Sequence, residues 1–274
     1  MTLTIMLGLA IGLVMGLTGA GGGVLAVPAL AFGLGLSMAQ AAPVAMIGVG
    51  LAAAVGTIEG LRRGTVRYRA AMFIAVMGWP LSALGVALAH RLPELTLRIV
   101  FVLVLAFVAW RQLRQTAQAA RAEAQVPEPS TTAAAELDPA TGRFIWNRRT
   151  FGSFACIGAV TGAMSGLLGV SGGFVLVPML SRFTRLDAPS LVGTSLMVGA
   201  LVTGFGALAA MLQGVAISWS ITGWFAVALV LGLLAARAVS PRLPPQAMRY
   251  TFVTLVIVVA VSMAIDIVRR AMVG

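Results

Sequence analysis

Two stretches interrupt the apolar runs of this chain with glycine. "GLTGAGGGVLAVPAL" occupies Gly16–Leu30 and "GLLGVSGGFVLVPML" occupies Gly166–Leu180. They constrain the fold because of what surrounds them. Of 274 residues, 59% are hydrophobic and 10% charged, against about 25% charged in soluble domains. Mean hydropathy is +1.00, and runs such as 1–59 and 219–236 leave no polar face for water. The chain reads as an integral membrane protein. In hydrocarbon an unpaired backbone amide costs several kcal/mol, so irregular backbone survives only against protein or a water-filled cavity. A glycine-broken segment at membrane depth therefore marks such a place.

The two breaks belong to a longer duplication. Gly16, Gly19, Gly22, Gly23, Val27, Pro28 and Leu30 recur as Gly166, Gly169, Gly172, Gly173, Val177, Pro178 and Leu180, and Gly56 and Gly64 as Gly206 and Gly214. With one residue of slip, "RLPELTLRIVF" at 91–101 matches "RLPPQAMRYTF" at 242–252. The expected fold is all-α and membrane-integral, with two internal repeats. Each repeat is a glycine-broken segment followed by three transmembrane helices. Residues 1–115 form the first repeat, 116–149 a polar linker rich in Ala, Pro and Glu, and 150–274 the second.

Arginine placement arbitrates the topology. If each broken segment crosses once, the repeats are parallel and the arginines divide twelve to seven between the linker side and the other. If each segment is re-entrant, the repeats are inverted. Only Arg91, Arg98, Arg269 and Arg270 then lie opposite the linker, against fifteen on its side. The half-segments 3–17 and 24–34 are also short of a roughly 30 Å core at 1.5 Å per residue. The inverted arrangement with a cytoplasmic linker is preferred. The Arg269–Arg270 pair facing outward is its weak point.

Helix starts are expected after each glycine cluster, at Val24–Leu30 and Phe174–Leu180. A helix start offers free N–H groups and about half a positive charge. Two of them meeting near the midplane would make an anion site that needs no basic side chain. The candidate ligating positions are Gly19, Gly21, Gly22 and Gly23 in the first bend and Gly169, Gly172 and Gly173 in the second. Thr18 and Ser171 add hydroxyls. The competing reading is that the glycines only let helices pack closely. On the site reading, leucine at Gly22 or Gly172 abolishes transport without preventing insertion.

The paired glycine motifs, together with "LVGTSL" at 191–196 and the "RLP" loop entering the last span of each half, resemble the TauE/SafE family of sulfite and organosulfonate exporters. The resemblance covers essentially the whole chain apart from the linker. It implies a secondary transporter of small anions in the bacterial cytoplasmic membrane. It also brings Thr194 and Ser195 of the "GTSL" segment into the candidate site. Pro43, Val44, Ala45 and Met46 stand at the equivalent first-half positions, so the site is expected to be asymmetric.

Other chemistries find little support. A net charge of +11 reads as positive-inside loops, not nucleic-acid binding. The chain has no lysine, hence no P-loop, and no His/Cys cluster spaced for a metal. No cofactor is expected and no enzymatic role. An anion channel, or a membrane-embedded enzyme or assembly subunit, remains the alternative. The coupling ion, proton or sodium, is left open, as is a homodimer. Cys156 is expected to be a buried inert thiol, and the N-terminal apolar run a retained helix. Glu59 is read as an interfacial partner of Arg62 and Arg63, Asp266 as a partner of Arg269 and Arg270, and His90 as exposed in a loop.

Overall fold

A computed structural model describes residues 1–122, 144–184, 186–239 and 245–273. Of the linker expected at 116–149, residues 123–143 lie outside the described residues. The first half contains α1 (Thr2–Thr18), a 3-10 turn (Gly19–Leu25), α2 (Ala26–Leu34), α3 (Met38–Arg62), α4 (Tyr68–Arg91) and α5 (Glu94–Ala122). The second contains α6 (Arg148–Leu168), α7 (Gly173–Phe183), α8 (Ala188–Leu212), α9 (Trp219–Val239) and α10 (Pro245–Val273). Among the described residues, six helices are long and apolar enough to cross a membrane. Many large apolar side chains face outward along them, among them Leu51, Leu84, Leu231 and Val258, as a lipid-facing surface requires.

Local chemistry sets the helix ends. Ser37 and Gln40 form a reciprocal capping box at the start of α3. Asn147 caps α6 by accepting from the Thr150 amide at 2.8 Å, and Asp187 caps α8 through the Ser190 amide. Gly64 and Gly214, at φ 69° and 74°, turn the chain just after α3 and α8. Hydrogen bonding to Ser190 holds the Asp187 carboxyl below the usual carboxylate range, against a smaller opposing effect of desolvation. A lowered folded-state pKa means the cap contributes above about pH 4 and is lost as pH falls through the folded value. Protection of the Ser190 amide against hydrogen exchange is therefore expected to fall with acidification below about pH 4. Asp187→Asn should abolish that dependence; identical profiles for the two proteins would refute the cap's role.

Glycine stripes bring the two halves together. Gly8, Gly12 and Gly16 of α1 face α9: a methyl on Gly12 would lie 2.2 Å from the Leu229 carbonyl oxygen, and one on Gly16 2.7 Å from that of Leu233. Gly158, Gly162 and Gly166 of α6 face α4 in the same way, at 2.3 Å from Ile74 O, 2.1 Å from Gly78 O and 2.1 Å from Ser82 O. No side chain fits at these six positions, so the backbones touch, as small-xxx-small packing allows. Both contacts advance in the same chain direction. α1 thus runs parallel to α9, and α4 parallel to α6.

The central pair, α3 and α8, runs antiparallel. Gly206 meets Met46, Gly50 meets Thr203, Gly56 meets Leu196 and Gly193 meets Thr65 and Val66 just beyond α3. At one end of this pair Glu59 pairs with Arg63 at 2.6 Å and with Arg237 of α9. Arg62 is not Glu59's partner. There too the Arg67 amide donates to Thr194 Oγ1 at 3.0 Å. At the opposite end Arg98 of α5 pairs with Glu94 and with Asp266 of α10. Asp266 thus has a tertiary partner that its local sequence does not suggest, because α10 lies antiparallel against α5 there. Arg98 is buried, so its charge requires a partner more than an exposed Arg269 would.

Cys156 is exposed, not buried. Phe154 and Ile157 take the inward positions of α6, which leaves the cysteine on the outer face. His90 is exposed as expected but belongs to the last turn of α4, not to a loop.

Candidate functional site

The first bend opens at Gly19, where φ 78° and ψ −147° end α1 in a conformation suited to glycine. Residues 19–25 then wind as a 3-10 turn that continues directly into α2, with the Ala26 amide bonded to the Gly23 carbonyl. The helix start expected at Val24 is therefore already within wound backbone. The interruption lies five residues earlier, and its opening amides belong to residues 19–21. After it the chain folds back. Gly22 sits against the backbone of Val14 and Met15, and Gly33 at the end of α2 against Leu7 near the start of α1. Pro28 occupies the first turn of α2, where a missing N–H costs little.

The second bend matches the expectation more closely. α6 ends at Gly169 (φ 71°), Gly172 (φ 47°) caps α7 without a side chain, and α7 starts at Gly173. Pro178 lies inside α7. Its carbonyl accepts from Arg111 Nη2 at 3.2 Å and from Ser181 Oγ at 3.0 Å.

The bends touch. A methyl on Gly23 would lie 2.9 Å from Ser171 Oγ and 2.8 Å from Val49 Cγ1, and one on Gly199 3.6 Å from the Ser171 carbonyl oxygen. Val49 and Gly199 each stand next to the midpoint of the 25-residue helices α3 and α8. The two interruptions thus overlap halfway along the central crossed pair.

Beside that contact lies a cavity of about 530 Å³. Thr18 and Gly21 of the first bend reach it, as do Gly173 and Phe174 at the start of α7. Arg111 and Gln112 of α5 and Ser181 of α7 supply the other polar groups, and Phe107, Val177 and Phe252 are part of its apolar wall. Among the described residues, Arg111 is the one charged residue in the lining. Its Nε is buried without a hydrogen-bond partner. The hydroxyl protons nearby are committed, Thr18 Oγ1 donating to Val14 O at 2.8 Å and Ser181 Oγ to Pro178 O.

A counterpart region is nearly shut. Leu17, Thr18, Val177 and Phe252 line the open cavity; Leu167, Leu168, Val27 and Phe101 stand 150 or 151 residues away and line a pocket of about 20 Å³. That is room for about one water molecule. Among the described residues, no arginine or carboxylate lines it.

Of the positions singled out in the sequence, Thr18, Gly21 and Gly173 reach the open cavity. Gly23 and Ser171 form the contact between the bends. Gly19 lies against Val192, Gly22 against Met15, Gly169 against Ala42 and Gly172 against Thr161. Thr194 and Ser195 are fully buried. Thr194 receives the Arg67 amide, and Ser195 Oγ donates to Val192 O at 2.9 Å. Arg111 was missed. In the sequence it is one of several arginines closing an apolar run, and nothing in its neighbours separates it from Arg114. Only the turn of α5 that faces α7 does so.

Multiple apolar spans and two backbone interruptions that meet beside a cavity describe a multi-pass membrane protein. The chain belongs to the "Sulfite exporter TauE/SafE" family, whose model matches residues 4–263. It is 28% identical over 235 residues to a "Probable membrane transporter protein" of Xylella fastidiosa strain Temecula1, covering 83% of this chain and 82% of that one. A protein of the same description from strain 9a5c is 28% identical over 188 residues, covering 68% and 65%. No solved structure gives a significant match.

Proposed function

We propose that the protein is a secondary transporter of small anions in the bacterial cytoplasmic membrane, and that it works by alternating access between two inverted repeats. The observation that carries this reading is the contact of the two bends near the centre of α3 and α8, beside a cavity whose one charged wall residue among the described residues is Arg111. Sulfite is the substrate in the family's description, and the motif resemblance adds organosulfonates.

Several contacts support inversion. α3 and α8 stand at equivalent places in the two halves and cross antiparallel, so the axis relating them lies across the helices, in the membrane plane. The first broken segment folds back along itself instead of crossing. Glu59 bonded to Arg237, Thr194 to Arg67 and Asp266 to Arg98 put together ends that a single-crossing topology keeps on opposite faces. In the re-entrant topology each pair shares a face, and the linker face holds fifteen of the nineteen arginines. By the positive-inside rule that face is cytoplasmic.

The open cavity is bordered by Ser181 and Leu191, near the linker-side ends of α7 and α8. Its shut counterpart lies toward the other face. A carrier requires one mouth open while the other is closed, and an inverted repeat supplies the second state when the halves exchange conformations. Thiol accessibility tests this in a Cys156→Ala background, with protein of known orientation in sealed vesicles. Val177→Cys should react with an impermeant reagent from the linker face, and Val27→Cys, its counterpart, should be protected in the same preparation. Saturating anion flux in proteoliposomes should accompany this pattern. Simultaneous reaction of both positions, each from its own face, would favour a channel instead.

A further inference from the structure

We propose that the pocket at the start of α4 holds the phosphate of an anionic phospholipid, bonded by Arg67 and Arg69, with its acyl chains lying along the outer face of that helix. The pocket shares no lining residue with the open cavity or with its small counterpart, so it is a separate site.

Its composition points to a headgroup. It has a volume of about 120 Å³ and is bordered by Arg67, Tyr68 and Arg69 of the turn into α4 and by Phe144 and Trp146, just before α6. A phosphate fits within it and acyl chains stay outside. Arg67 is partly buried, and its Nε is enclosed without a hydrogen-bond partner. A buried donor left open costs free energy until a ligand or water fills it. Guanidinium groups match phosphate oxygens in bidentate geometry. The start of α4 also lacks a side-chain cap, so its dipole favours an anion there. The Asp187 carboxylate acts on Arg67, but it is committed to capping α8 through the Ser190 amide.

The surroundings place that phosphate at a bilayer surface. Tyr68, Met72, Val76 and Trp79 are each about half exposed. Three or four residues apart, they form one outward stripe along a membrane-length helix. Tyr68 is the linker-face end of the stripe. Trp146 packs with Phe73 at 5.5 Å between ring centroids, and Phe73 with Phe151 at 4.3 Å, while Trp146 and Phe151 remain exposed. Tryptophan and tyrosine concentrate at the level of the headgroups, and basic pockets between helices at that depth take anionic ones. The turn itself does not demand the arginines. "VRYRA" at 66–70 has its counterpart 150 residues on in "AISWS" at 216–220, which is uncharged, although Gly214 turns the chain there as Gly64 does. The positive-inside rule would be met by exposed arginines. It does not call for one whose Nε is enclosed beside aromatic rings.

Native mass spectrometry of the full chain released from detergent, which resolves individual bound lipids, tests this. The probes are phosphatidylglycerol, phosphatidylcholine with the same acyl chains, and glycerol 3-phosphate. Phosphatidylglycerol should bind at least tenfold more tightly than phosphatidylcholine, and glycerol 3-phosphate at the same concentration should not displace it. An arginine at a lipid surface is worth roughly fivefold. Arg67→Gln combined with Arg69→Gln should therefore weaken phosphatidylglycerol at least tenfold, to the level of phosphatidylcholine, with an unchanged melting temperature. Glutamine at 67 keeps the backbone amide that bonds Thr194. Arg62→Gln, exposed nearby but outside the pocket, should retain wild-type binding. Should the double variant fail to fold, Arg69→Gln alone, at an exposed side chain, should still show a roughly fivefold loss. Equal affinity for the two lipids overturns the proposal, as does a folded double variant that keeps its preference. An Arg62→Gln variant that loses as much would show diffuse surface charge in place of a site. Displacement of the lipid by glycerol 3-phosphate would assign the pocket to a soluble phosphate instead.

Discussion

Gly162→Leu is expected to leave little folded protein. A β-carbon at this position would sit 2.1 Å from the Gly78 carbonyl oxygen and 2.7 Å from Gly78 Cα. The obstacle is backbone, so no rotamer change relieves it, and α4 and α6 must separate along their whole contact. That contact joins the first half to the second and is repeated at Gly158 and Gly166. Overpacking ordinarily costs about 1–3 kcal/mol, and a leucine against rigid backbone belongs at or beyond the upper end of that range. Thermal unfolding in detergent should fall sharply, or the protein should be lost on extraction. Gly152→Leu, on the same helix with nothing within 4 Å of its β-carbon, should be neutral within about 0.5 kcal/mol. Equal behaviour of the two variants would show that the glycine stripe does not hold the halves together.

Gly21→Leu is expected to abolish transport while the protein still folds. This glycine lines the open cavity, and a methyl on it would approach only Phe252 Cζ, at 3.7 Å. Its φ is not in the left-handed region, so a side chain is tolerated locally. A leucine there projects into the space a substrate would occupy. Flux in proteoliposomes should fall at least a hundredfold, with an unchanged melting temperature. Leucine at Gly22 or Gly172, which the motif first suggests as the transport test, is a poorer one. At Gly22 the added carbon meets the Met15 backbone at 2.6 Å, and at Gly172 it meets Thr161 at 2.4 Å with φ at 47°. Both variants should lose stability as well as transport. Wild-type flux in a folded Gly21→Leu protein would remove the cavity from the pathway.

How the bends function was only partly legible. Glycine clusters mark where backbone turns, and they located both interruptions. They do not say whether a glycine faces a ligand or a neighbouring helix, because both uses require the same missing side chain. Gly22 and Gly169 were read as ligands and lie against protein backbone, while Gly21 and Gly173, in the same runs, reach open space. Thr194 and Ser195 illustrate the same limit. A hydroxyl in an apolar helix signals a hydrogen bond, but the partners here are the Arg67 amide and the Val192 carbonyl. Cys156 is a related case: its apolar neighbours in sequence suggest a buried thiol, and the outer face it takes after packing exposes it. For Asp266 the local sequence gives no sign of the tertiary partner Arg98.

The sequence by itself determined that the chain is a membrane protein, that two equivalent glycine-broken segments interrupt it and roughly where each helix begins and ends. Those follow from solvation of the backbone, capping chemistry and periodicity, all of which act over a few residues. Tertiary structure alone decided that the bends meet, that α3 and α8 cross antiparallel, that Arg111 joins the cavity and that the pocket lined by Val27 and Leu167 is far smaller than the one lined by Thr18 and Val177. Each of these depends on which helix faces come together between elements far apart in the chain, and that choice is made by the sum of many small contacts that no local pattern encodes.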